Sequence, residues 1–185
     1  VGSLAGQSGF QVIGSALTRS RGMEYGEIVS MPETERAIRT ALQSAQKLAN
    51  SRVDHVIACI SGGSPRSYGL EGTVDIKTGI VDDNDIADVL GSCGIPAYGS
   101  DREVLHAQPV NFSLDHRTGL SDPRGQIGKK LSVDMHMLTV KEKTIHDLAY
   151  CLKRCDLELA GVASASYASA LSSLVEDEKE LGAAC

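Results

Sequence analysis

The chain has 185 residues, enough for one domain or two small ones, and a chain of that length buries about 70% of the surface its unfolded form exposes. Apolar residues make up 42% and charged residues 23%, which excludes disorder along the whole chain. Eighteen basic residues against 24 acidic ones leave a net charge of −6, with two Phe, five Tyr and no Trp, the reverse of the basic, aromatic footprint that nucleic-acid binding needs.

Residues 11–17 read as a strand, followed by the turn-rich stretch 19–22 and a short extended piece at 27–29. Ser30 suits a helix N-cap, Glu33 is placed as its capping-box partner, and Pro32 falls in the first turn, where a missing N–H costs least. Ala37, Ile38, Ala41, Leu42, Ala45, Leu48 and Ala49 then recur at helical spacing, with Arg36, Arg39, Gln43 and Lys47 on the other side, until Asn50-Ser51-Arg52. Residues 53–60 are nearly all apolar, the pattern of a strand buried on both faces. Strand, helix and strand suggest a crossover unit of an α/β sheet. Ser61-Gly62-Gly63-Ser64-Pro65 tempts as a phosphate loop, but it matches neither G-x-x-x-x-G-K-[ST] nor G-x-G-x-x-G and reads as a flexible exit from the strand.

The next block is patterned differently. Residues 68–76 alternate like a half-exposed strand. Asp82-Asp83 cap a short helix bearing Ile86, Val89 and Leu90, which Gly94-Ile95-Pro96 ends. Residues 103–114 form a long strand in which Pro109 requires an edge or a bulge. Residues 115–130 are a polar turn region. Residues 131–138 then alternate almost perfectly, apolar at 131, 133, 135 and 137. This strand-helix-strand-strand order is a small α+β unit. The α/β style returns afterwards: Ile145, Leu148, Ala149, Leu152 and Cys155 mark a helix face, 157–162 a short strand, and 163–174 an Ala- and Ser-rich helix. The expected architecture is one α/β domain, 1–61 with 141–185, interrupted by an inserted α+β domain at 62–140.

Little chemistry is visible. The five cysteines (59, 93, 151, 155 and 185) form no C-x-x-C pair and read as small, buried and reduced; the five histidines show no ligand spacing. Asp82, Asp83 and Asp85 lack the Gly and distant Glu of a calcium loop. No nucleophile elbow or zinc-protease motif appears, so no catalytic residue, cofactor ligand or metal ligand is assigned. Asp101-Arg102-Glu103 and His106 gather acid, base and imidazole at a strand start. No run approaches the roughly 20 apolar residues of a membrane span. The chain starts at Val1 without a signal-peptide pattern and reaches small apolar residues at 181–185 that look like a new strand, so it reads as a piece of something longer.

Four stretches carry a resemblance: Ser20-Arg21-Gly22-Met23 with Gly26; Asp101-Arg102-Glu103-Val104-Leu105-His106-Ala107-Gln108-Pro109; Gly119-Leu120-Ser121-Asp122-Pro123-Arg124-Gly125 with Gly128; and Glu176-Asp177-Glu178-Lys179-Glu180-Leu181-Gly182. In this order they resemble the FtsA family of actin-like bacterial cell-division proteins. The resemblance implies part of the first lobe of an actin/Hsp70-like, ribonuclease-H-like fold, carrying the α+β insertion at 62–140. It implies a scaffold, with ATP and magnesium bound in the full-length protein, that links FtsZ to the inner membrane through a C-terminal helix. Such a scaffold self-associates and recruits later division proteins such as FtsN, at the cytoplasmic face of the division site.

Both phosphate-binding hairpins of that family would lie outside 1–185, so nucleotide is not expected to bind this chain. Where related chaperones place a Glu that holds a metal-bound water, the matching residues look like Ala165 and Ser166, which argues against efficient hydrolysis even in the full protein. The alternative is an ATP-hydrolysing or sugar-kinase-like enzyme of the same superfamily. The resemblance, together with the edge character that Pro109 lends to 103–114, marks Arg102, Glu103 and His106 as candidate partner-binding residues.

Overall fold

The computed structural model describes residues 1–4 and 9–182; of the strand start expected at 181–185, Leu181 instead ends a helix and residues 183–185 lie outside the described residues. The chain divides into two compact units, Val1–Gly63 with Glu142–Cys185, and Ser64–Lys141. The insertion therefore begins two residues, and ends one residue, later than the 62–140 read from patterning.

In the first unit, β1 (Gly2–Leu4) pairs antiparallel with β2 (Phe10–Val12). The strand expected over 11–17 thus ends at Val12. Gly14 is buried, and a Cβ on it would sit 2.5 Å from the carbonyl oxygen of Ala45 in helix α1 (Met31–Ala49). The backbone presses against the helix there instead of extending the ladder. Strands β3 (Met23–Glu24) and β4 (Glu27–Ile28) form a tight hairpin through Tyr25 and Gly26, both with positive φ (51° and 76°), the conformation that suits two-residue hairpin turns.

Helix α1 begins at Ser30, but the expected capping box is absent: the Ser30 side chain makes no cap hydrogen bond. The buried Thr34 secures this turn instead, its hydroxyl lying 3.0 Å from the carbonyl oxygens of both Gly22 and Ser30. Asn50, at φ 47°, closes the helix in the left-handed conformation that Asn tolerates.

Strand β5 (His55–Ile60) runs parallel to β10 (Glu158–Ser164), which follows helix α3 (Glu142–Arg154). Leu152, Cys155 and Leu157 form a core with Ile38, Leu42 and Val56. The reading of 53–60 as buried on both faces is corrected: burial alternates, and Ile57 is 74% exposed. Helices α1 and α3 cover the Val56 side, β10 is the only strand pairing β5 among the described residues, and a cleft of 870 Å³ runs alongside. Ser164 caps α4 (Ala165–Ser173), and α5 (Glu176–Leu181) follows.

In the second unit, β6 (Arg66–Asp75), β7 (Arg102–Leu114), β8 (Arg117–Leu120) and β9 (Lys130–Lys141) form an antiparallel sheet of order β6-β9-β7-β8, and helix α2 (Asp83–Ser92) lies between β6 and β7 in the chain. The expected strand-helix-strand-strand unit gains β8, four residues with a central glycine and too short to show alternation. Asp82 caps α2 with a reciprocal box to Asp85, so capping accounts for this acidic run. The alternation at 131, 133, 135 and 137 turns these side chains toward α2, where Leu131 and Val133 join Ile86, Val89, Phe112 and Leu114 in the core.

Candidate interaction edge

Strand β7 pairs with β9 along its whole length, from Arg102 opposite Lys141 to Leu114 opposite Leu131. It pairs with β8 only at Phe112 and Leu114. Over 102–110 the other edge of β7 therefore meets no strand among the described residues. Two register shifts lie in this stretch, one between Val104 and His106 and one between Pro109 and Asn111. Pro109, expected at an edge or a bulge, has both: an irregularity beside it and an open flank. Val104 is 42% and Val110 65% exposed, and Ala107, Gln108 and Pro109 are exposed as well. Half-free backbone groups next to small apolar side chains are what an added strand needs.

The three residues read from the sequence do not share one environment. Arg102 is corrected: expected as an exposed selector at the strand start, it is 7% exposed. Its Nε donates to the Thr139 hydroxyl at 2.9 Å, and its Nη2 donates to the carbonyl oxygens of Thr139 at 2.9 Å and Ser64 at 2.7 Å. Opposite Lys141 in the ladder, its side chain falls on the same sheet face as the fully buried Thr139, which pulls the guanidinium inward. Arg102 ties the first residue of the insertion to its last strand. Glu103 and His106 pair with Val140 and Leu138, on the opposite face from Arg102, and are half-buried.

Sequence reasoning missed Val104, Ala107 and Val110, the exposed apolar members of the edge. Nothing in alternation alone shows which neighbour a strand lacks. It also missed Thr139, although a threonine that continues the buried series 131-133-135-137 signals a polar partner inside.

Within the Ser61–Pro65 stretch, Gly62 is buried. A Cβ at Gly62 would meet the carbonyl oxygens of Gly26 and Tyr25 at 2.6 Å each, so this glycine serves close backbone packing against the β3–β4 turn. At the start of α4, the Ser164 hydroxyl accepts from the Tyr167 N–H and lies 2.9 Å from that of Ser166; neither Ala165 nor Ser166 brings a carboxylate. The reading of the cysteines as buried holds for Cys151 and Cys155 but is corrected for Cys59, which is exposed, and Cys93, which is half-buried. Cys151 is fully buried, and desolvation pushes its thiol up to about 11, while Cys155 is raised by the same cause; neither is a poised nucleophile.

Residues 62–139 match the family model described as the SHS2 domain inserted in FtsA. The cell division protein FtsA of Rhizobium meliloti is 36% identical over 174 residues, covering 94% of this chain and 39% of that protein. The FtsA of Pseudomonas aeruginosa is 32% identical and that of Escherichia coli K12 25% identical, each over 98% of this chain and 44% and 43% of theirs. The chain thus spans about 40% of the length of these relatives. Among solved structures, the PilM-PilN type IV pilus biogenesis complex is similar in fold, with a TM-score of 0.51 and 11% identity over 83% of this chain and 40% of that one. The α/β unit and this neighbour fit a partial actin-like fold. Residues 62–139 thus match the SHS2 domain inserted in FtsA, and on both sides of that insertion the chain is similar to FtsA cell-division proteins over 94–98% of its length.

Proposed function

We propose that the chain acts in cell division as part of a non-catalytic scaffold, and that its insertion is an interaction module working through the open edge of β7. One observation carries this reading: the stretch 102–110 combines an unpaired strand flank with exposed Val104, Ala107, Pro109 and Val110. An extended segment of a later division protein such as FtsN, or of a neighbouring subunit in a filament, would add to this edge through main-chain hydrogen bonds. Glu103 and His106 would set side-chain preference on the far face. The scaffold would join FtsZ to the cytoplasmic face of the inner membrane through a C-terminal helix. ATP with magnesium is proposed as a conformational ligand of the full-length protein, with none of the described residues assigned to hold it.

Lysine on an edge strand discourages strand addition. Full-length V104K and A107K variants are therefore expected to lose two-hybrid and pull-down signal for at least one of these partners. E103Q and H106Q should shift the preference among partners, with melting curves unchanged in all four. Undiminished binding of every partner by V104K and A107K would remove this edge from the reading.

A further inference from the structure

The sheet of Ser64–Lys141 has a second uncovered surface, with different chemistry. Val74, Leu131 and Val133 point to the α2 side, so the alternate residues of the same strands point away from it. On that far face β6 presents Ser67, Gly69, Glu71 and Thr73, while β9 presents Ser132, Asp134 and His136 beside them. Asn111 and Gln108 of β7 lie opposite Asp134 and His136. Ser132 and Asn111 are half-buried and the rest exposed.

Glu71 and Asp134 are directly opposed in the ladder, and among the described residues no cation or hydrogen-bond donor is bonded to either carboxylate. Like charges in opposed positions destabilise a strand pair. One position along from Glu71 on this face, Gly69 leaves open space: a Cβ there would meet nothing within 4 Å. His136, opposite Gly69, is engaged with the Ser67 hydroxyl. The face therefore carries a notch floored by backbone, one side-chain position wide, with two carboxylates at one end.

We propose that this face docks an Arg- or Lys-bearing extended segment of a partner protein. The aliphatic stem lies in the notch over Gly69, and the cation sits between Glu71 and Asp134. Charge complementarity selects this occupant. One cation can serve both carboxylates, because a guanidinium can donate to two acceptors at once. The Asn111 and Gln108 amides offer donors and acceptors to the segment's backbone. An apolar helix finds no apolar row on this face, and nucleic acid meets two carboxylates. The surface is separate from the β7 edge, and its occupant does not depend on strand addition there.

The test is fluorescence anisotropy of the full chain with a fluorescein-labelled Ser-Arg-Gly-Arg-Ser peptide at ~0.1 M salt. Saturable binding is expected, weakened about tenfold or more in E71Q/D134N. G69V changes no charge but fills the notch, and should weaken binding by at least about fivefold. D88N/D177N removes the same charge from exposed positions elsewhere and should bind within about twofold of the unmodified chain. Hydrogen exchange on the unmodified chain should show peptide-dependent protection at 69–73 and 132–136, a readout that needs no variant to fold. The proposal is overturned by absence of saturable binding, by E71Q/D134N binding as tightly as the unmodified chain, by an equal loss in D88N/D177N, or by protection that misses both strands.

Discussion

The Arg102 guanidinium is held by one hydroxyl and two carbonyls, with no carboxylate among its acceptors. A buried cation satisfied only by neutral groups is sensitive to the loss of any of them, because the desolvation already incurred is no longer offset. R102A is expected to lower unfolding free energy by about 2–4 kcal/mol, since it strands three acceptors and opens space beside Thr139. R102K keeps the charge, but one ammonium cannot reproduce the fork, and at least about 1 kcal/mol should remain lost. Urea unfolding of the three proteins checks this; an R102A variant as stable as the parent would return Arg102 to the class of surface charges. The sequence shows an arginine between two acids at a strand start, the usual appearance of a solvated residue. Only the pairing of β7 with β9 brings it beside Thr139.

Element by element, the turns were the least legible. The stretch 115–130 reads as polar turn, yet it contains β8, started by Asp115 at φ 54°. The Asp115 carboxylate accepts from the backbone N–H groups of Lys130 at 2.9 Å and Lys129 at 3.1 Å, fastening the β7–β8 turn to the start of β9. These two bonds, Lys130 first, hold its pKa below the ordinary 3.8. A carboxyl whose pKa is lowered on folding stabilises the fold above its unfolded value and stops doing so as pH falls through the lowered one. Acid should therefore weaken the unit Ser64–Lys141 progressively as pH drops below 3.8. D115N tolerates the same backbone conformation and keeps an acceptor oxygen without the charge, so its stability should vary less with pH over that range. Parallel acid titrations by circular dichroism measure the difference, and equal slopes would show that Asp115 contributes nothing to the acid response. By contrast, the helix of 83–92 and the strand of 131–138 were readable in advance. A capping acid and a two-residue apolar period act locally, without help from distant residues.

For the whole molecule, the two units have separate cores. One joins Ile76, Val81, Ile86, Val89, Phe112, Leu114, Leu131 and Val133, all within Ser64–Lys141; the other joins Leu152, Cys155 and Leu157 to α1 and β5. A four-stranded sheet with one face packed on a helix meets the usual requirement for independent stability. Residues 64–141 expressed alone are expected to unfold in one cooperative urea transition, with a slope of about 1 kcal/mol per molar. A gradual, probe-dependent loss of signal would mean that the insertion needs its host to fold.

What the amino-acid order determined by itself is the set of features whose physics is local. The period-two pattern of 131–138, the helical repeat from Ala37 to Ala49, the acidic cap of 83–92 and the change of patterning near residues 62 and 140 each follow from neighbours a few positions apart. Family motifs in chain order added the actin-like setting of the insertion. The tertiary structure alone decided which edge of β7 stays open, that Arg102 turns inward, that Gly62 packs against the Tyr25–Gly26 turn, and that Glu71 faces Asp134 across the ladder. Each of these depends on how separate segments of the chain come together, which is set by the residues the folded sheet and helix bury jointly, a sum over many contacts that no short window of sequence contains.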